Sequence, residues 1–253
     1  MPAFEIRSDD FSKDSFVPSM KYDDAVAERL EAIYLGADVA AQRQETLRRI
    51  AISDGETVLD VGSGPGFLAQ ELARATGPNG CVIGVDISEQ MVERTMARNT
   101  CDWLAFQVAD AGQLPFEDNS FDVVVSTQVA EYVPDIDAFC AEMYRVLRPG
   151  GRALIMATDW DAVCWHSSDP DRMARVLSAF APHCADSRLP RTLGALLRGV
   201  GFHLDSVSFF PIINIDWYDG CYSAGIIQFI VAYISGQGTL ADAELTAWAD
   251  DLA

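Results

Sequence analysis

Three acids and three glycines stand in this sequence at the spacing a small-molecule site needs. Asp60, Gly62, Gly64 and Gly66 read D-x-G-x-G-x-G, within and after the apolar run that begins Val58-Leu59 and before an apolar helical pattern. Strand, glycine turn and helix make the first half of a nucleotide-binding βαβ unit. The glycines let backbone approach a ligand without a Cβ in the way, and the helix N-terminus offers free N–H groups. Asp86 ends the next β-rich run, 20 residues past Gly66. An acid there can accept both ribose hydroxyls of a nucleoside; as a mere helix cap it would be redundant, because Ser88 already caps that helix. Asp110 ends the third run. The dinucleotide fingerprint G-x-G-x-x-G would need a glycine at position 67, where Phe67 stands, and this counts against a nicotinamide cofactor. A second group of residues follows the later strands. Glu131 and Tyr132 come after one; Trp160, Trp165 and His166 come after the next. His166 could take a proton near neutral pH, and the two indoles suit a flat or apolar ligand.

These residues must be held by alternating strands and helices. Strand patterns cover about 57–61, 81–85, 104–109, 123–127 and 152–158, with a sixth expected near 203–210. Helical patterns fall at 67–75, 88–98, 137–147, 170–180 and 191–199, the last two stopped or opened by Gly201 and by Asp169-Pro170. Ahead of the first strand, Asp23 and Asp38 can cap helices over about 23–35 and 38–51. Two more helical patterns, about 221–235 and 240–252, close the chain. The expected fold is α/β: a doubly wound, mostly parallel Rossmann-like sheet with an N-terminal helical lid and a helical C-terminal segment.

Three motifs in order carry a family resemblance. The glycine turn is similar to motif I of the class I S-adenosylmethionine (SAM) methyltransferases. Residues 114–122, Leu-Pro-Phe-Glu-Asp-Asn-Ser-Phe-Asp, resemble the L-P-F-x-D-x-S-F-D stretch of the ubiquinone/menaquinone-type C-methyltransferase superfamily, and so does Leu147-Arg148-Pro149-Gly150-Gly151. The resemblance covers about 57–158. It implies one domain, with a lid or arm over 1–51, a SAM-binding core over 52–160, and an acceptor-side and helical part over 161–253. It implies S-adenosyl-L-methionine as cofactor, held by Asp60, Gly62, Ser63, Gly64, Gly66, Asp86, Ile87, Met91, Asp110, Ala111 and Thr127. Asp110, with the backbone of Ala111, would meet the adenine amino group. Tyr22 in the lid, Trp160 and Trp165 would touch the acceptor, and His166, Glu131 and Tyr132 are the candidate catalytic groups. The family would also supply a last antiparallel strand after Pro211; either it lies beyond Ala253 or this fold lacks it.

The implied activity is methyl transfer to a quinone-like, phenolic or other natural-product acceptor. Arsenite methyltransferases share this fold and hold arsenic through soft thiolates. Cys164, Cys184 and Cys221 follow the fifth strand, so arsenite is an alternative acceptor; a non-catalytic SAM-binding protein is another reading. Such arsenite enzymes commonly carry a further cysteine near the N-terminus, whereas the first here is Cys81.

Composition bounds the rest. The chain has 253 residues, 49% hydrophobic and 22% charged, enough for one sizeable core. A formal net charge of −20 and no basic cluster argue against nucleic acid and anionic membrane surfaces. Six single cysteines with no C-x-x-C, and no apolar leader over residues 1–10, point to the cytoplasm. The longest apolar run, 224–234, is too short for membrane insertion. No metal site is expected, and the sequence leaves the oligomeric state open.

Overall fold

The computed structural model describes residues 31–253 apart from positions 219 and 236. Tyr22 and the expected cap Asp23 lie outside the described residues. Five strands form one sheet in the order β3-β2-β1-β4-β5: β1 (Thr57–Val61), β2 (Cys81–Asp86), β3 (Leu104–Val108), β4 (Phe121–Thr127) and β5 (Leu147–Met156). Every pairing is parallel, for example Val58 with Val82 and with Val123.

Buried alternation along the strands decides what each face covers. Leu59, Val61, Ile83, Val85 and Val124 enter one core, under α4 (Ile136–Arg145) and α6 (Pro190–Val200). Val58, Val82, Val123 and Val125 enter the other, under α1 (Ala37–Ile50), α2 (Phe67–Thr76) and α3 (Glu89–Arg98). Neighbouring residues of one strand therefore serve opposite cores, the period-two pattern of a sheet buried on both sides. Asp60 shares the parity of Val58 and so points to the face that α1 covers.

Local signals set the ends of the helices. Ser88 caps α3 by accepting from the Met91 N–H, and Asp135 and Asp169 do the same for α4 and for α5 (Pro170–Phe180). Gly201, at φ 115°, ends α6 in the left-handed conformation. The C-terminal helices α7 (Tyr222–Ile234) and α8 (Asp242–Leu252) pack with α5 into a third core built on Phe180, Ile227, Ile230, Leu245 and Trp248.

Two expectations are corrected. Residues 203–210 form no strand; Val207 and Phe209 are 76% and 95% exposed, and without a neighbouring strand their backbone has no ladder to join. Asp38 does not cap α1, whose N-cap is Gly36. Its carboxylate instead accepts from the Asn214 amide (2.9 Å) and the Tyr222 N–H (3.0 Å), tying α1 to the start of α7.

Candidate active site

The glycine turn is fastened to the second strand. Gly62 and Ser63 N–H groups both donate to the Val85 carbonyl (2.7 and 2.8 Å), and Gly64 N–H donates to Asp86 Oδ2 (2.8 Å). Asp86 Oδ1 accepts from Ser88 N–H at 2.9 Å. Asp86 thus shapes the turn as well as ending β2, and its carboxylate keeps acceptor capacity for a further donor.

The three glycines do different work. A Cβ on Gly62 would lie 2.1 Å from Val129 Cγ2, and one on Gly66 would lie 2.4 Å from Thr95 Cγ2. Those two are required by packing inside the protein. A Cβ on Gly64 (φ 49°) would meet nothing within 4 Å. The space beside Gly64 belongs to a cleft between the turn and α1, lined among others by Tyr34, Arg43, Asp60, Gly64, Thr127 and Gln128.

The cleft holds polar groups with unmet bonding capacity. Asp60 is 2% exposed, and its Oδ2 has no hydrogen-bond partner among the described residues; neither does Ser63 Oγ. Burial, with the Asp86 charge adding to it, pushes the Asp60 carboxyl up to about 7. Burial also raises Asp86, opposed by the N–H groups of Ser88, Gly64 and Ile87. A cationic ligand beside Asp60 would remove the cost of its isolation. Ile87 is 51% exposed at the tip of β2, Met91 is buried below it, and Asp110 Oδ1 accepts from Gly112 N–H at 2.8 Å. Donors, orphaned acceptors and an open glycine face fit a ligand with a cationic amino-acid end and a nucleoside end.

The strand-4 and strand-5 exits divide the remaining candidates. Glu131 is fully buried; Oε1 accepts from Thr158 N–H at 3.0 Å, and Oε2 has no hydrogen-bond partner among the described residues. Burial raises its carboxyl to about 7. Its backbone carbonyl accepts from Ala185 and Asp186 N–H (2.9 and 3.0 Å), which brings the segment after α5 against it. Tyr132 meets the His183 ring edge-on at 5.7 Å, and Trp160 meets it at 4.6 Å. Trp165 is drawn elsewhere: it packs on Trp248 at 6.1 Å and donates to Ser223 Oγ. His166 is exposed and does not line the cleft, so the structure does not bring this proposed base to the strand ends. Its neighbours Ser167 and Ser168 are held by Asp251, which fixes that loop against α8.

Sequence reasoning missed His183, Arg43 and Thr158, and placed Gln128 only as a residue that follows strand 4. His183 is 2% exposed, stacked on Phe180 at 3.7 Å, with Nδ1 bound to the Phe180 carbonyl and Nε2 without a hydrogen-bond partner among the described residues; burial lowers it to about 4. Arg43 faces the glycine turn from α1, paired with Glu71 at 3.1 Å and lying 5.5 Å from the Phe67 ring centroid. Among the described residues no His, Cys, Asp and Glu cluster could hold a metal ion, and no helix is long and apolar enough to cross a membrane. Cys164 is exposed, whereas Cys184 and Cys221 are buried.

Sheet order, glycine turn and acid-tipped strands are similar to those of the class I SAM-dependent methyltransferases, a class whose cofactor is S-adenosyl-L-methionine. Residues 59–155 match the family described as a methyltransferase domain. The chain is 38% identical over 115 residues to the ubiquinone/menaquinone biosynthesis C-methyltransferase of Pseudomonas putida, covering 44% of this chain and 45% of that one. It is 37% identical over 132 residues to an arsenite methyltransferase of Halobacterium salinarum, covering 51% of this chain and 34% of the relative. A Haloferax volcanii methyltransferase, solved in complex with the Trm112 methyltransferase activator, superposes with a TM-score of 0.56 at 27% identity, over 72% of this chain and 75% of that one. The chain spans about a third to a half of the length of the curated relatives it matches.

Proposed function

We propose that this protein transfers the methyl group of SAM to a small planar acceptor of phenolic, quinone-like or related natural-product type. The observation that carries the reading is the cleft at Gly64, open where a Cβ would stand, beside Asp60 Oδ2, which has no hydrogen-bond partner among the described residues. SAM supplies an already activated methyl electrophile when bound. The protein then has to hold and orient the acceptor and exclude water, and such positioning can supply about 7–11 kcal/mol of a barrier.

In this reading Asp60, Gly62, Ser63, Gly64, Gly66 and Thr127 hold the amino-acid end of the cofactor. Asp86, Ile87 and Met91 hold the ribose and one adenine face, and Asp110 with Ala111 holds the adenine edge. The lid over 1–51, the core over 52–160 and the acceptor-side part over 161–253 work as one domain. Glu131 is the group suited to take a proton near neutral pH, because it is buried, carries an unpartnered oxygen and is raised to about 7. Tyr132 and Trp160 flank the acceptor side. His166, exposed on its loop, has no part in this scheme.

The cysteine geometry favours an organic acceptor over arsenite. Burial pushes the Cys184 thiol up to about 12, so it presents no ready thiolate, and Cys221 Sγ is taken up as the N-cap of α7 by the Ala224 N–H. Among the described residues no three soft or acidic side chains cluster as a metal site. Incubation with methyl-labelled SAM and a panel of phenols, quinols and arsenite, followed by mass analysis, tests the reading. A methylated phenol or quinol is the expected product. Calorimetry showing NAD binding without SAM binding would overturn it.

A further inference from the structure

Gln128, the first residue after β4, is held at φ 61°, a left-handed conformation that a side chain bearing a Cβ adopts at a cost. Glycine would fill that turn without strain, yet the position carries a long amide. Both ends of Gln128 are fixed. Its backbone N–H donates to the Met156 carbonyl at 2.8 Å, and its side-chain Oε1 accepts from the Thr158 hydroxyl. Thr158 donates its own N–H to Glu131 Oε1, so one residue beyond β5 clamps both side chains from the β4 exit. With Oε1 occupied, the Gln128 N–H₂ is left over. It has no hydrogen-bond partner among the described residues, and Gln128 lines the same cleft as Asp60, Gly64 and Met156. A strained backbone, a side chain locked by a neighbour and two unspent donors at the cleft make a pre-aimed hydrogen-bonding group.

We propose that Gln128 determines acceptor specificity: its amide N–H₂, aimed by Thr158 as a positioning residue, donates to an oxygen carried beside the methyl-accepting atom. The acceptor class is therefore a planar molecule bearing a hydroxyl or carbonyl oxygen, not a bare hydrocarbon ring or an isolated amine. This inference rests on the methyl-transfer reading for its purpose, but its binding test does not need turnover.

The experiment compares phenol with toluene, which has the same shape without the oxygen, by ligand-observed NMR with and without S-adenosylhomocysteine (SAH). Wild type is expected to bind phenol about fivefold more tightly, the worth of one neutral hydrogen bond. Gln128→Gly removes the amide and the strain together, so its melting temperature should hold or rise while the phenol preference disappears. Thr158→Val keeps the side-chain shape and lets the amide turn away, so the preference should fall with SAH affinity unchanged. An unchanged preference in both variants overturns the proposal, as does failure of wild type to bind phenol. A tenfold loss of SAH affinity in Gln128→Gly with the preference retained assigns the residue to the cofactor, and also overturns it. If wild type does not bind SAH, the methyl-transfer reading fails, and the phenol comparison without SAH still decides the role of Gln128.

Discussion

Substituting alanine at Gly62 and at Gly64 should give opposite outcomes, although the two glycines are two residues apart in one turn. At Gly62 the new Cβ would stand 2.1 Å from Val129 Cγ2 on a backbone with φ 75°. Left-handed strain for a residue with a Cβ is about 1 kcal/mol, and overpacking adds about 1–3 kcal/mol. A total near 3 kcal/mol corresponds to a drop of roughly 6–12 °C in melting temperature for a domain of this size. At Gly64 only the strain applies, because the Cβ meets no protein atom within 4 Å, and the expected drop is roughly 2–4 °C. Affinity for SAH should run the other way. The Gly64 methyl projects into the cleft and should weaken binding by at least about tenfold; roughly 1.4 kcal/mol of lost contact is enough for that. The Gly62 methyl projects at Val129, so folded Gly62→Ala protein should bind better than folded Gly64→Ala protein. Val129→Ala should rescue the stability of Gly62→Ala and leave Gly64→Ala unaffected. Thermal unfolding and titration calorimetry read both quantities. Wild-type affinity in Gly64→Ala, or a Gly64→Ala protein as unstable as Gly62→Ala, would refute the reasoning that only Gly64 faces ligand.

Asp86→Ala should lose more than a ribose contact, because it also frees the Gly64 and Ser88 N–H groups; SAH affinity should fall more than tenfold, at about 1.5–3 kcal/mol per charged hydrogen bond, and Asp86→Asn should lose less. The Asp60 carboxyl, raised from 3.8 to about 7, binds its proton in the folded state where the unfolded chain has released it. Stability of the ligand-free protein should therefore fall as pH rises from about 4 to about 7 and level off above, and Asp60→Asn should flatten part of that slope in thermal scans. Glu131 acts with the same sign over the upper part of that window, so a residual slope should remain. A Cys164→Ser, Cys184→Ser, Cys221→Ser variant should keep methyl transfer to its organic acceptor at saturating SAM, with losses of about 1 kcal/mol per buried site; collapse of turnover with SAM binding intact would restore the arsenite reading.

What could be read in the sequence is what short-range chain geometry builds. The strand-turn-helix at 57–76 and the acids at 86 and 110 follow from local pattern, because parallel strands place their carboxyl ends along one edge whatever the rest of the chain does. The caps Ser88 and Asp169 are local for the same reason. The expected strand at 203–210 failed because β-propensity describes one chain, whereas a strand needs a neighbour, and Phe209 at 95% exposure has none.

The acceptor side could not be read in this way because its residues meet across the sequence. His166 looked apt for being the histidine next to β5, yet Asp251, more than eighty residues on, holds the adjacent serines against α8. His183 sits in a stretch with no motif, and the Glu131 carbonyl accepting from Ala185 and Asp186, with Tyr132 against the His183 ring, draws that stretch to the β4 exit. Gln128 is more telling still. Nothing in Thr-Gln-Val announces a left-handed glutamine, since the strain exists only because Met156 and Thr158 hold it from another strand. A cofactor shared by many proteins can be met by a local turn of fixed geometry. An acceptor particular to one protein is met by side chains that different strands bring together, and those positions are where the local rules are broken.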